Sequence, residues 1–207
     1  MASIEKFTMK ATVNQFRHIE RTIANPSNLD INPDLSHRNY SFINRDISSY
    51  EYFLDRKSQL YCYNREDVKV LAGVIVTAPK DLVNTEHQEF FQSVFNFLSN
   101  RYGNENVVQA IVHNDESGQP HLHFYFIPVV PDKKHGGYKI CANDVLNRTE
   151  LRNFHPALQK HLNDSGIKAN INSGITKRQG GNRRVWEMKQ ERNRNYEHDR
   201  TIERNRW

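Results

Sequence analysis

The fold of this 207-residue chain is decided by one stretch, Val107-Val-Gln-Ala-Ile-Val-His113, then Asn114-Asp-Glu-Ser-Gly-Gln-Pro120, then His121-Leu-His-Phe-Tyr-Phe126. Two segments rich in β-branched and aromatic residues flank seven turn-forming residues, which is the pattern of a β-hairpin. We expect its second strand to run from His121 to Val130. A sheet built around such a hairpin, with helices packed against it, predicts an α+β fold.

Outward from the hairpin, strands and helices alternate along the chain. Alternating or continuously apolar stretches predict further strands at residues 4–13, 68–77 and 138–142. Apolar residues at helical spacing predict helices at residues 13–24, 46–62, 86–102 and 149–163. After Gly174 the composition shifts to Arg, Asn, Gln and Glu. We therefore expect a catalytic domain over residues 1–174 and a mainly helical extension over residues 175–207.

The net charge of +5 is concentrated in the C-terminal segment. From Thr176 to Trp207 there are ten Lys and Arg residues against five Asp and Glu residues, so the preceding residues balance to zero. A basic extension on a neutral body is typical of a polyanion-binding protein. A solvated helix with charges of both signs would look the same.

Composition excludes several classes of protein. The longest apolar run, Leu71–Ala78, is far shorter than the roughly 20 residues that a membrane span needs. Cys62 and Cys141 are far apart in sequence, which argues against a disulfide framework and against a zinc knuckle. We therefore expect a cytoplasmic protein, and we expect no membrane contact from these 207 residues.

Three histidines of the hairpin are placed to bind one metal ion. His121 and His123 share a face of their strand, because side chains at positions i and i+2 point the same way. The antiparallel turn brings His113 beside them. Three protein ligands leave coordination positions open, which is the catalytic arrangement. Imidazole suits zinc, nickel, cobalt or copper, and phosphate oxygens that complete the shell would favour manganese or magnesium.

Glu116 lies in the hairpin loop and has two possible roles. It could be a fourth metal ligand, or it could orient or deprotonate a neighbouring imidazole. The sequence does not separate these roles, and we favour the second. The remaining histidines are interpreted as ordinary surface or core residues: His37, His87, His135, His155, His161 and His198.

Three motifs, in order, carry a resemblance to a known family. They are Phe16-Arg-His18-Ile-Glu20-Arg21, Asn32-Pro-Asp-Leu-Ser-His37-Arg-Asn-Tyr40 and His113-x-Asp115-Glu116-x-x-x-Pro120-His121-x-His123. The histidine pair around one hydrophobic residue resembles the signature of the HUH endonucleases. The wider pattern resembles the MobV (Mob/Pre) family of plasmid relaxases. The loop before His121 is one residue longer than we expect for that family.

The resemblance implies a five-stranded antiparallel sheet with helices on its faces. It also implies nicking and rejoining of one DNA strand at a plasmid origin of transfer, through a covalent 5′-phosphate adduct. The implied nucleophile is His18, assisted by Glu116, with a divalent metal ion on His113, His121 and His123. The partner would be single-stranded or hairpin DNA, contacted by Arg21, Arg38, Asn39 and Tyr40.

Other functions share parts of this pattern. A rolling-circle replication initiator would have the same metal site with a tyrosine nucleophile, for which Tyr40 is the natural candidate. A non-catalytic DNA-binding module could use the histidines for a structural zinc ion. A small metal-dependent oxygenase or hydrolase could also carry a His-x-His pair, but it has little use for a basic extension.

Overall fold

A computed structural model of the chain describes residues 2–23, 28 and 30–171. Within this part of the chain, five strands form one fully antiparallel sheet in the order β1-β3-β5-β4-β2. The predicted α+β fold with a five-stranded antiparallel sheet is thereby confirmed. The strands are β1 (Ala2–Thr8), β2 (Tyr40–Ser41), β3 (Lys69–Thr77), β4 (Val107–His113) and β5 (His121–Phe126).

Helices cover both faces of the sheet. The helices are α1 (Met9–Ile19), α2 (Ser49–Ser58), α3 (His87–Tyr102), the short α4 (Ala142–Val145) and α5 (Arg148–Asp164). One face packs against α3 and α5, whose aromatic and aliphatic side chains share a core with Val74, Val112 and Leu122. The other face packs against α1 and α2, where Phe16 and Phe53 are buried. Successive side chains of each strand point to opposite faces of the sheet, so each face has its own hydrophobic core.

The predicted hairpin forms with the expected register. His113 of β4 lies directly opposite His121 of β5, and Ile111 lies opposite His123. The second strand is shorter than predicted, because it ends at Phe126 just before Pro128, which has no backbone N–H for the ladder. The residues beyond it form β6 (Val129–Pro131), which pairs with β7 (Tyr138–Ile140) in a separate two-stranded sheet.

The first helix begins earlier than the sequence predicted. The expected strand at residues 4–13 ends at Thr8, and the helix expected at residues 13–24 runs from Met9 to Ile19. The helix stops there because Arg21 takes the left-handed backbone conformation, with φ of 55°. The prediction missed this boundary because Lys10, Ala11 and Val13 fit a loose alternation as well as a helix.

The expected domain boundary at residue 174 and the expected helical extension lie outside the described residues. In the part of the chain that the structure covers, no helix is both long and apolar enough to cross a bilayer.

Gly73 allows two aromatic rings to pack across the middle of the sheet. A Cβ atom at this position would lie 2.9 Å from Tyr125 Cε1 and 3.1 Å from Phe7 Cε2. Tyr125 cannot easily move, because it is buried and its hydroxyl donates a hydrogen bond to Gln15 Oε1. We expect Gly73→Ala to lower the free energy of unfolding by about 1–3 kcal/mol, through overpacking. Urea denaturation would measure this loss.

Gly118→Ala is the matched control for that substitution, because a Cβ at Gly118 has no neighbour within 4 Å. Equal stability of the two variants would contradict the close-approach explanation.

Candidate metal centre and active site

The three hairpin histidines converge on one face of the sheet. His113, His121 and His123 each offer a ring nitrogen, and these nitrogens lie within 4.8 Å of one another. The cluster lies on the face that α1 covers, because His123 is paired with Ile75 and Ile111 rather than with the residues of the α3 core. Adjacent strands therefore bring together ligands that are up to ten residues apart in sequence.

Hydrogen bonds fix which nitrogen is free in the rings of His113 and His121. His113 Nε2 lies 2.8 Å from the carbonyl oxygen of Ile19, which can only accept, so the lone pair is on Nδ1. His121 Nδ1 donates in the same way to the carbonyl oxygen of Gln119 at 3.1 Å, which leaves Nε2 free. Such backbone bonds are the usual way in which a metal-binding histidine is oriented.

Buried ring nitrogens without a partner show that the site fits a cation. Nδ1 of His113 and both nitrogens of His123 are buried and have no hydrogen-bond partner in the described structure. Buried polar atoms of this kind are rare unless a ligand or an ion satisfies them. Three converging imidazole nitrogens are a donor set that suits a divalent cation and leaves other coordination positions open.

Burial keeps the imidazoles of His113 and His123 neutral. It lowers the pKa of His113 to about 4, and it holds the pKa of His123 well below the ordinary range. The neighbouring histidines and Arg21 act in the same direction on His123. A neutral imidazole keeps the lone pair that a metal ion needs, so protons do not compete for the site at neutral pH.

His18 of α1 faces the cluster from above the sheet. Its ring centroid lies 6.1 Å from that of His113 and 5.8 Å from that of His123. Burial, assisted by the nearby Arg21 guanidinium, lowers its pKa. The ring also lines a pocket of about 250 Å³ with Arg17, Ile31 and Ser36. A neutral histidine is thus held between an open pocket and the candidate metal centre.

Arg21 ties α1 to the hairpin loop. Its Nε and Nη2 atoms donate to the two carboxylate oxygens of Asp115 at 2.8 and 2.7 Å, and Nη2 also donates to Glu116 at 2.8 Å. Its Nη1 atom donates to the carbonyl oxygen of His18 at 3.1 Å. The left-handed conformation at Arg21 directs the guanidinium to this network. These bonds use four of its five N–H donors.

Asp115 is the buried anchor of this network. It is fully buried, and although burial alone would raise the pKa of its carboxyl group, hydrogen bonds from Arg21 and Ser36 hold that pKa well below its usual range. Asp115 belongs to the third motif, but the sequence pattern predicted no role for it. The available signal was an acidic residue two positions after the strand that carries His113, with an Arg one turn after His18.

Glu116 faces the free nitrogens of two histidines. Its Oε1 atom lies 3.9 Å from His113 Nδ1 and 4.0 Å from His121 Nε2. Its hydrogen-bond donor is Arg21. Among the described contacts, no hydrogen bond joins Glu116 to His18, the residue that it was expected to assist. The guanidinium of Arg21 is also hydrogen-bonded to Asp115, and this second pair of bonds holds it beside the carboxylate of Glu116. The arrangement is compatible with metal ligation and with orientation of an imidazole.

The second motif divides between the two faces of the sheet. Tyr40 is paired with Val112 and packs on the α3 side, where its ring contacts Phe42, so its side chain lies on the face opposite the histidines. Burial raises its pKa to about 12. Arg38 is exposed, and the side chain of Asn39 accepts a hydrogen bond from the backbone N–H of Asn114. The structure therefore brings His18 and Arg21, but not Tyr40, to the metal centre.

The Arg21–Asp115 pair gives a direct test of this architecture. We expect Asp115→Asn to lower the free energy of unfolding by about 3 kcal/mol, because it removes the fully buried carboxylate of the pair and leaves the largely buried guanidinium with the more exposed Glu116 as its partner charge. Thermal and urea unfolding would measure the loss. Asp34→Asn, at an exposed carboxylate of the neighbouring loop, is the control and should be close to neutral. A loss of less than 1 kcal/mol for Asp115→Asn would contradict the anchoring role.

A family model and individual relatives both relate this chain to plasmid recombination enzymes. A sequence model of the family Mob_Pre, described as plasmid recombination enzyme, matches residues 1–184. The plasmid recombination enzyme of Streptococcus agalactiae is 31% identical over 81% of this chain and 34% of its own length. That of Lactiplantibacillus plantarum is 27% identical over 81% of this chain and 47% of its own length. The chain thus spans about a third to a half of the length of these relatives.

One solved structure has the same fold as this chain over nearly the whole length of both. It is the manganese-bound MobM relaxase domain (MOBV; Mob_Pre) in complex with plasmid pMV158 oriT DNA. It shares 27% sequence identity with this chain at a TM-score of 0.74, and the match covers 92% of this chain and 97% of that domain.

Proposed function

This chain belongs to the family of plasmid recombination enzymes, and from that membership we propose that it is a metal-dependent relaxase. It would nick one DNA strand at a plasmid origin of transfer, hold the 5′-phosphate covalently on His18, and later rejoin the strand. The observation that carries the proposal is a neutral, half-buried histidine facing three histidines with free ring nitrogens. A binding module would need neither the open ligand set nor the fourth imidazole.

His113, His121 and His123 would hold the divalent cation, with manganese or magnesium as the favoured ions. Its chemical contribution when bound is to neutralise charge on the non-bridging oxygens of the scissile phosphate. The backbone carbonyls of Ile19 and Gln119 keep the ligating nitrogens in place before DNA arrives, which lowers the cost of organising the site.

His18 supplies the nucleophile in this scheme. The lone pair of its ring nitrogen forms a bond to phosphorus, and the bond from phosphorus to the 3′ oxygen breaks. The departing 3′ oxygen takes a proton, and the phosphorylated imidazole loses its N–H proton to a base. The low pKa of His18 keeps the attacking form dominant at neutral pH. The phosphoramidate retains the energy needed for rejoining, because the free 3′-hydroxyl can attack it in reverse.

Glu116 would complete the polar side of the site. Arg21 holds its carboxylate at the edge of the histidine cluster, where it can orient an imidazole or accept the released proton. Arg21 itself has one N–H left for a phosphate oxygen. Arg38, Asn39 and the exposed edge around Tyr40 would contact single-stranded or hairpin DNA at the origin.

A substitution at Tyr40 distinguishes the proposed relaxase from a rolling-circle initiator that uses a tyrosine nucleophile. We expect Tyr40→Phe to change the nicking rate by no more than roughly threefold, because the hydroxyl lies on the face of the sheet opposite the metal centre. The assay is manganese-dependent nicking of a supercoiled plasmid that carries the cognate origin. Loss of nicking in Tyr40→Phe would favour the initiator instead.

The chemistry of the adduct gives a second discrimination. A phosphoramidate on histidine is hydrolysed in mild acid, whereas a phosphotyrosine survives. The trapped protein–DNA adduct should therefore disappear at acidic pH and persist at neutral pH. A non-catalytic module with a structural zinc ion would form no adduct at all.

A further inference from the structure

A second surface with nucleic-acid-binding chemistry lies far from the metal centre. The ring of Tyr61 stacks on that of His135 and meets that of Tyr63 edge to face, and Lys133 and Lys134 directly precede His135 in the turn of the β6–β7 hairpin. We call these five residues the aromatic platform. The ring centroids of Tyr61 and His135 are 4.0 Å apart at an interplanar angle of 23°, and those of Tyr61 and Tyr63 are 5.2 Å apart.

The rings of the platform are presented to solvent. Tyr61 is 37% exposed and Tyr63 is 48% exposed, and His135 is also exposed. Large aromatic side chains at such exposure are unusual in a region that has a well-packed core directly beneath it. The backbone of Tyr61 is bonded to β7, since its N–H donates to Tyr138 and its carbonyl accepts from Ile140. The backbone of Tyr61 is therefore held by β7, while the rings themselves face solvent.

A buried carboxylate holds the platform in shape. Asp132 is only 4% exposed, and its Oδ2 atom accepts a hydrogen bond from His135 Nδ1 at 2.7 Å. Its Oδ1 atom accepts from the backbone N–H of Lys134, and its own N–H and carbonyl bond Gly137 and Gly136. These bonds fix the ring of His135 against Tyr61 before any ligand arrives. Preorganisation of this kind reduces the entropy cost of binding.

The charge of the surface favours a polyanion. The β6–β7 hairpin carries three lysines and one acidic residue, and that acidic residue is the buried Asp132. On the adjoining segment, Glu66 and Asp67 are already paired with Lys10 and Arg65. Among the described residues, no carboxylate forms an ion pair with Lys133 or Lys134. Two exposed lysines, with no ion pair in the described part of the chain, therefore lie next to His135 in the hairpin turn.

From this combination we propose that the aromatic platform binds single-stranded DNA, with bases stacking on the rings and phosphates contacting the lysines. Stacked aromatic side chains beside basic residues bind unpaired bases without sequence preference. Paired bases of a duplex are already stacked and would not reach the rings. The inference rests on the proposed function in one respect, namely that DNA is the substrate.

The position of the platform fits the path of a strand across the enzyme. Leu60, Cys62 and Ile140 belong to the same core as Phe16 and Ile19 of α1, so the platform lies on the His18 side of the sheet. It lies beyond the end of β5 that is opposite to His121, and the six residues of β5 alone span roughly 20 Å at about 3.3 Å per residue. DNA held on the platform would be several nucleotides from the scissile phosphate.

The test is fluorescence anisotropy of a fluorescein-labelled oligodeoxythymidylate titrated with the 207-residue chain in the presence of EDTA. We expect Tyr61→Ala to weaken binding by about tenfold, within the usual range for one stacked base, and Tyr61→Phe to bind as the wild type does. Tyr63→Ala should show the same loss and serves as an independent variant if Tyr61→Ala unfolds. Unchanged binding in a folded alanine variant would overturn the proposal.

The salt dependence of binding tests the lysine contacts. Lys133→Gln combined with Lys134→Gln should reduce the slope of log affinity against log salt by about 1–2. The control is Lys160→Gln combined with Lys168→Gln, on α5 and the segment after it, which should leave that slope unchanged. Equal weakening by Tyr61→Ala on a labelled duplex would also overturn the proposal, because it would show contact with phosphates alone. His18→Ala should bind the oligonucleotide normally, and Tyr61→Ala should still form the covalent adduct, so this inference and the proposed function fail separately.

Discussion

His18→Ala is expected to abolish the covalent DNA adduct and to reduce nicking on the order of 10⁴-fold or more, as removal of a nucleophile does in other covalent enzymes. The imidazole lies between the open pocket and the histidine cluster, and no other described histidine occupies that position. Metal binding should persist, because His18 is not one of the three converging ligands. Gel-based nicking and denaturing electrophoresis of the adduct, each with manganese, would measure the two losses.

The control for that variant is His155→Ala. His155 is a half-buried histidine of α5, and its ring contacts the carbonyl of Ala2 on the other side of the sheet. Nicking should be close to that of the wild type. A His18→Ala protein that still formed an adduct would remove His18 from the mechanism.

His123→Leu is expected to separate metal binding from stability. Both ring nitrogens of His123 are buried without a partner, so leucine should raise the free energy of unfolding in EDTA by about 1 kcal/mol. With manganese at about 100 times its dissociation constant, the wild type should gain roughly 2.7 kcal/mol, and the variant should gain far less. Nicking should be lost. Thermal unfolding with manganese and with EDTA would measure both effects.

The opposite pattern would contradict the site. If manganese stabilised His123→Leu as much as the wild type, the cation would not be bound by this cluster. If the variant were instead less stable in EDTA, the nitrogens would have partners that the structure does not contain. His155→Leu is the matched control, since its manganese response should equal that of the wild type.

The hairpin could be predicted from the sequence because its signals agree with one another. The β-branched strands, the seven-residue turn and the period of two all place His113, His121 and His123 on one face, and the register confirms that geometry. The sheet order was not derivable from these patterns. The family resemblance implied a five-stranded antiparallel sheet but not the order of its strands, and β1 pairs with β3 across sixty residues of intervening sequence.

The parts that the sequence did not predict depend on tertiary contacts. The conformation of Arg21 is set by its distant partner Asp115, and local propensity gives no sign of it. Glu116, which was expected to assist His18, accepts a hydrogen bond from the same guanidinium, a contact that the sequence pattern does not show. His135 was interpreted as an ordinary histidine, because the tyrosine that stacks on it is more than seventy residues away in sequence.

Mapping the residue that carries the DNA tests the central claim most directly. Trypsin cuts after Arg17 and Arg21, so His18 is released in the four-residue peptide His18–Arg21, which contains no tyrosine, whereas Tyr40 is released in residues 39–45. Mass spectrometry at neutral pH of the adduct with an origin oligonucleotide should find the nucleotide on the His18 peptide. A nucleotide on the Tyr40 peptide, or on any other tyrosine, would contradict the histidine nucleophile.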